Sequence, residues 1–65
     1  MKKKYLAYFY IDDNTITRSI CTKEEYGKYA VELIPEYKEC KTIWMYKDLF
    51  DWLLYTGEIE EYIEK

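Results

Sequence analysis

Sixty-five residues, 49% hydrophobic and 20% aromatic with a net charge of −3, make one domain, 1–65, with a small aromatic core rather than a disordered chain. With no histidine and two glycines, the chain lacks the commonest general base, the usual catalytic triads, most zinc sites, the P-loop and the dinucleotide fingerprint. No run approaches the length of a membrane-spanning helix, and the apolar stretch after Lys4 is too short for a secretory signal.

Tyr5 to Ile11 is unbroken apolar and aromatic, and Asp12-Asp13-Asn14 follows as a turn signal. This predicts a strand over about 4–11, central because both its faces are apolar. Thr15 to Cys21 alternates and suits the second arm of a hairpin. Thr22-Lys23-Glu24-Glu25 fits a capping box, and Tyr26, Tyr29, Ala30 and Leu33 recur at helical spacing. A helix is therefore expected from Thr22 to Pro35, with Gly27 inside it at a cost of about 1 kcal/mol.

Thr42 to Tyr46 is β-branched and aromatic and reads as a third strand. Leu49, Phe50, Leu53 and Leu54 then form one apolar stripe of a helix over Asp48–Tyr55, capped by Asp48 and ended by Gly57. Trp52 belongs at the edge of that stripe, with Leu53 more buried. Ile59, Tyr62 and Ile63 suggest a short final helix. The expected fold is α+β: a small two-layer domain of order ββαβα(α). Its three-stranded sheet has order 2-1-3, strand 1 central, with the helices on one face.

Chemistry enters mostly by exclusion. Cys21 and Cys40 lie outside any CxxC motif and have no histidine to activate them. Both are expected as free thiols, in a reducing cytoplasm. The carboxylate pairs Asp12/Asp13, Glu24/Glu25 and Asp48/Asp51 are explained by a turn, a first helical turn and a cap. Asp12-Asp13-Asn14 lacks the glycine and distal glutamate of a calcium loop. No catalytic residue, cofactor or metal is expected.

Surface is what remains. Alternation places Ala7, Phe9 and Ile11 on one face of strand 1, and Leu6, Tyr8 and Tyr10 on the other. On strand 3 it separates Ile43 and Met45 from Trp44 and Tyr46. Packing the aliphatic set under the helices leaves an open face carrying Tyr8, Tyr10, Trp44 and Tyr46. Tyr and Trp are the residues that carry binding hot spots.

Charge is unevenly spread: residues 1–23 sum to +3, 24–46 to −2 and 47–65 to −4. A secondary acidic surface at Glu58, Glu60, Glu61 and Glu64 follows.

These features suggest a non-enzymatic protein-binding module, an inhibitor or adaptor that docks by its aromatic sheet face. By analogy alone it is of the type of many small phage and mobile-element inhibitors, since no motif is specific enough to name a family. One alternative is an acidic mimic of nucleic acid that occupies a DNA- or RNA-binding protein. Another is a small structural homodimer. Direct nucleic-acid binding by stacked aromatics and Lys2–Lys4 conflicts with the acidic balance.

Overall fold

The computed structural model describes residues 3–63. The strands β1 (Lys4–Asp12), β2 (Thr15–Tyr26), β3 (Ala30–Pro35) and β4 (Ile43–Tyr46) precede one helix, α1 (Lys47–Thr56), and a last short strand, β5 (Glu60–Tyr62). They form a five-stranded antiparallel sheet of order β4-β3-β2-β1-β5. The three-stranded sheet of order 2-1-3, with several helices on one face, is thereby corrected.

The first correction lies at Thr22–Pro35, where the expected helix is the end of β2, a turn, and β3. Gly27 adopts φ +66°, a left-handed conformation open to glycine at little cost. The chain reverses over Gly27–Tyr29, and Tyr26 pairs with Ala30. Long-range pairing of β2 with both β1 and β3 outweighs the local helical spacing, because propensity is a weak prior. Lys23 and Glu25 tolerate the core side of β2 because their charged ends reach its rim. Lys23 Nζ lies 4.9 Å from the Phe50 ring centroid, and Glu25 pairs with Lys47 at 3.8 Å.

The second correction is the final helix. Ile59 is buried, but Glu60–Tyr62 pairs with Lys4–Leu6 as an edge strand. Helix α1 carries the chain from β4 at one edge to β5 at the other, across the face that it covers.

The first hairpin turns as its sequence suggests. Asn14 N–H donates to Asp12 Oδ1 at 2.8 Å, which closes an Asx turn. That bond, from Asn14, holds the Asp12 carboxyl below its ordinary value.

The core lies between sheet and helix. Tyr5, Ala7, Phe9, Cys21, Val31, Leu33, Phe50 and Ile59 are buried. Phe50 meets Tyr5 edge-on, with ring centroids 5.3 Å apart at 86°, the geometry that ring quadrupoles favour. Leu53 and Leu54 pack half-buried against the core, whereas Trp52 is 58% exposed. Leu49, expected in the stripe, is exposed at the outer flank of the first turn. The N-cap is Tyr46 rather than Asp48 and makes no side-chain capping bond. Gly57 ends the helix in the left-handed conformation, its N–H donating to the Leu53 and Leu54 carbonyls.

Candidate functional site

One ten-residue helix covers one face of a five-stranded sheet. Side chains alternate across a strand, and the register therefore defines the opposite face row by row. At one end lie Tyr46 of β4, Ala30 of β3 and Tyr26 of β2, then Trp44, Glu32 and Glu24. The middle holds Ile34, Thr22, Lys4 and Tyr62, then Ile20, Leu6 and Glu60. The far end holds Arg18 beside Tyr8 and Ile16 beside Tyr10. Most of these residues are apolar or aromatic. An antiparallel sheet with a solvated face normally shows polar residues there.

The four residues expected on this face are on it, and all are exposed: Tyr8, Tyr10, Trp44 and Tyr46. They do not form one cluster. Trp44 pairs with Glu32, which pairs with Glu24, while Tyr8 pairs with Arg18 six residues earlier on β2. The two aromatic pairs thus sit three strands and six residues apart, about 14 Å across and about 20 Å along the sheet. The half-buried Ile20 and Leu6 and the exposed Ile34 connect them.

Each corner has its own construction. At the first, the Tyr26 and Trp44 rings approach to 4.5 Å between centroids, tilted at 34°. The small Ala30 between Tyr26 and Tyr46 leaves room for that contact. Tyr26 Oη donates to Glu32 at 3.0 Å, and this bond, which holds the phenol proton, raises the Tyr26 pKa. Beside Trp44 and Tyr46 a groove of about 330 Å³ opens over Ala30, Met45 and Leu49 at the free edge of β4. At the second corner the Arg18 guanidinium lies 5.6 Å from the Tyr8 ring centroid and pairs with Glu60.

Tyr26, Ile16, Ile20, Ile34 and Tyr62 also belong to this surface; a helical reading of 22–35 and of the C-terminal segment hides Tyr26, Ile34 and Tyr62. The signal was present. Residues 16, 18, 20, 22, 24 and 26 share one face once β2 is read as a single long strand.

The acidic residues behave differently. Glu60 and Glu61 are neighbours on β5 and therefore point to opposite faces. Glu60 pairs with Arg18, and Glu61 with Lys3 at 3.6 Å. Glu58 is exposed in the loop after α1, and Glu64 lies outside the described residues. Among the described residues of this set no acidic helical surface forms.

Cys21 and Cys40 are free thiols. Burial, and secondarily Glu36, pushes the Cys21 thiol up to about 11, which removes it as a nucleophile at neutral pH. Among the described residues no three His, Cys, Asp or Glu side chains converge to hold a metal ion. No helix there is long and apolar enough to cross a membrane.

Fold and site together define a small antiparallel-sheet domain with one face under a helix and one apolar face open. Comparison with known protein families, characterised proteins and solved structures finds no match.

Proposed function

We propose that this chain is a non-catalytic protein-binding module, an inhibitor or adaptor, whose docking surface is the open face of the sheet. One observation carries the reading: the face opposite α1 carries aromatic and aliphatic side chains at both its corners, Tyr26/Trp44/Tyr46 and Tyr8/Tyr10/Ile16, with Ile20, Leu6 and Ile34 between them among the charged residues Lys4, Arg18, Glu24, Glu32 and Glu60. Exposed apolar surface of this extent marks interaction sites. Large, stiff aromatic side chains lose little entropy when they are covered. The acidic-mimic reading draws less support, because Glu60 and Glu61 diverge and each is paired with a base.

The test compares binding by open-face variants with binding by helix-flank variants. The immobilised chain is exposed to bacterial lysate, and retained proteins, or self-association, are measured. Tyr10→Ala and Trp44→Ala should lose association while folding as before, and Trp52→Ala and Tyr55→Ala should keep it. Association that survives the first pair, or is lost only with the second, would overturn the reading.

A further inference from the structure

We propose that the outer edge of β4 takes up an extended segment of a partner protein as a further strand of the sheet, a segment apolar in its middle and acidic at its ends. This edge shares Trp44 and Tyr46 with the open face and needs no other exposed aromatic of it.

Backbone direction identifies the occupant as a strand. Lys47 N–H donates to the Tyr29 carbonyl at 2.6 Å. That bond continues the register in which Tyr46 meets Ala30, Met45 meets Val31 and Trp44 meets Glu32. Along an antiparallel pair, residues that exchange both backbone bonds with the partner strand alternate with residues that turn both groups away. Met45 and Ile43 therefore bond to β3. Trp44 and Tyr46 turn their backbone groups to the outer side, where β4 has no neighbouring strand. The Tyr46 carbonyl, at the N-cap, is taken by the first bond of α1. Trp44 N–H, Trp44 C=O and Tyr46 N–H remain as a template for one more strand.

Edges are normally blunted by charge, proline or a bulge. Ile43-Trp44-Met45-Tyr46 has none of these, whereas the opposite edge, β5, carries Glu60 and Glu61. The groove of about 330 Å³ lies along this same edge of β4. Ala30, Trp44 and Tyr46 line it from the open face, and Met45 and Leu49 from the side of the helix. An added strand would find both main-chain partners and an apolar groove, the combination that gives strand addition its affinity and its specificity.

Charge selects the segment. Lys28, next to Tyr29 in the turn, and Lys41 stand at the two ends of β4, exposed and without an ion pair among the described residues. Lys47 pairs with Glu25, and Asp48 sits in the first turn of α1, where the helix dipole favours an acid. A segment with acidic ends complements Lys28 and Lys41. A second copy does not: edge-to-edge pairing about a twofold axis sets Trp44 against Trp44 and Lys41 against Lys47, the latter twice.

The probe is a displayed library of random heptapeptides, panned on the full chain, with the strongest binder then synthesised. Selected peptides should be apolar at alternate middle positions, acidic at an end and free of proline at the centre. Tyr46 has φ −70°, which proline also adopts, and its N–H points away from β3. Tyr46→Pro therefore removes a template donor, while Tyr46→Ala removes the ring and keeps the donor. Tyr46→Pro should weaken peptide binding by about threefold to tenfold more than Tyr46→Ala, the effect of one lost hydrogen bond. Lys41→Glu should weaken binding, more at low salt, and Tyr10→Ala should leave it unchanged. Circular dichroism checks that each variant is folded. If Tyr46→Pro is not, a peptide N-methylated at the residue facing Trp44 replaces it and should not bind. No enrichment from the library overturns the proposal, as do equal losses with Tyr46→Pro and Tyr46→Ala. Loss of peptide binding with Tyr10→Ala overturns it by assigning the peptide to the open face. Self-association of the wild type that Tyr46→Pro abolishes overturns it by giving the edge to a second copy. Lysate association that depends on Tyr10 leaves the open-face reading standing after any of these failures.

Discussion

At Gly27 a single backbone angle decides the course of the chain. A Cβ built there meets nothing within 4 Å, so space is not the constraint. The constraint is φ +66°, which costs a residue with a side chain about 1–2 kcal/mol. Gly27→Ala should lower stability by that amount in a denaturant titration, although alanine is the better helix former. Had 22–35 been a helix, the same change would have raised stability. The two cysteines differ as sharply. Cys40 is half-buried and Cys21 is fully buried. At pH 8 a chromogenic disulfide should therefore modify Cys40 readily, and Cys21 only after unfolding. The Cys21 thiol is held near 11 against an ordinary value of 9.0. The folded state favours the protonated thiol, so this contribution to stability is complete below pH 9 and is lost between pH 9 and 11. The melting temperature of Cys21→Ala should fall less steeply than the wild type over that interval.

At the scale of elements, α1 closes the core through few side chains. Phe50 is fully buried against Tyr5, while Leu53 is half-buried and Trp52 stacks on Tyr55 at 5.7 Å outside the core. Phe50→Ala should therefore cost about 3–5 kcal/mol, a large fraction of the stability of so small a domain. Leu53→Ala should cost less, near the lower end of the 2–5 kcal/mol range for a leucine truncation. Trp52→Ala should cost little. Equal losses at all three positions, measured by thermal unfolding, would show that the helix packs in another rotation. The hairpins illustrate a second point about elements. Asp12-Asp13-Asn14 declares its turn through side-chain chemistry, whereas the turn at Gly27–Tyr29 declares itself only through one glycine inside a helical spacing.

At the scale of the molecule, one apolar set closes the core under α1 and another is exposed on the opposite face of the sheet. Charge contributes little to either. Ion pairs such as Lys3–Glu61 and Lys4–Glu36, at 3.6 and 3.5 Å, lie at the surface and are each worth less than about 1 kcal/mol. Tyr10→Ala and Trp44→Ala should abolish association through the open face. Glu58→Lys and Glu61→Lys should weaken it by less than tenfold, and more at low salt, because rim charges act mainly on association rate. Binding measured at two salt concentrations separates the outcomes. Insensitivity to the aromatic variants together with a strong charge effect would return attention to the acidic residues.

The sequence by itself determined the two faces of β1 and β4, the helix after Tyr46 and its end at Gly57, and the exposure of Tyr8, Tyr10, Trp44 and Tyr46. These features depend on alternation, on a dense apolar stripe and on one αL glycine, all of which act within a few residues. The fates of Thr22–Pro35 and of Glu58–Ile63 were decided only by tertiary structure. Their spacing satisfies a helix, but Thr22–Tyr26 pairs with Ala30–Ile34 across the turn at Gly27, and the hairpin and Glu60–Tyr62 are fixed in the sheet by β1 and β4, whose positions no local window contains. The same long-range register sent Trp44 and Tyr46 to the corner opposite Tyr8 and Tyr10. It also made β2 one continuous strand, with Arg18 and Glu24 on the same face. Residues far apart in the chain become neighbours only through strand pairing, and a charge pattern read along the sequence cannot show which face will carry it.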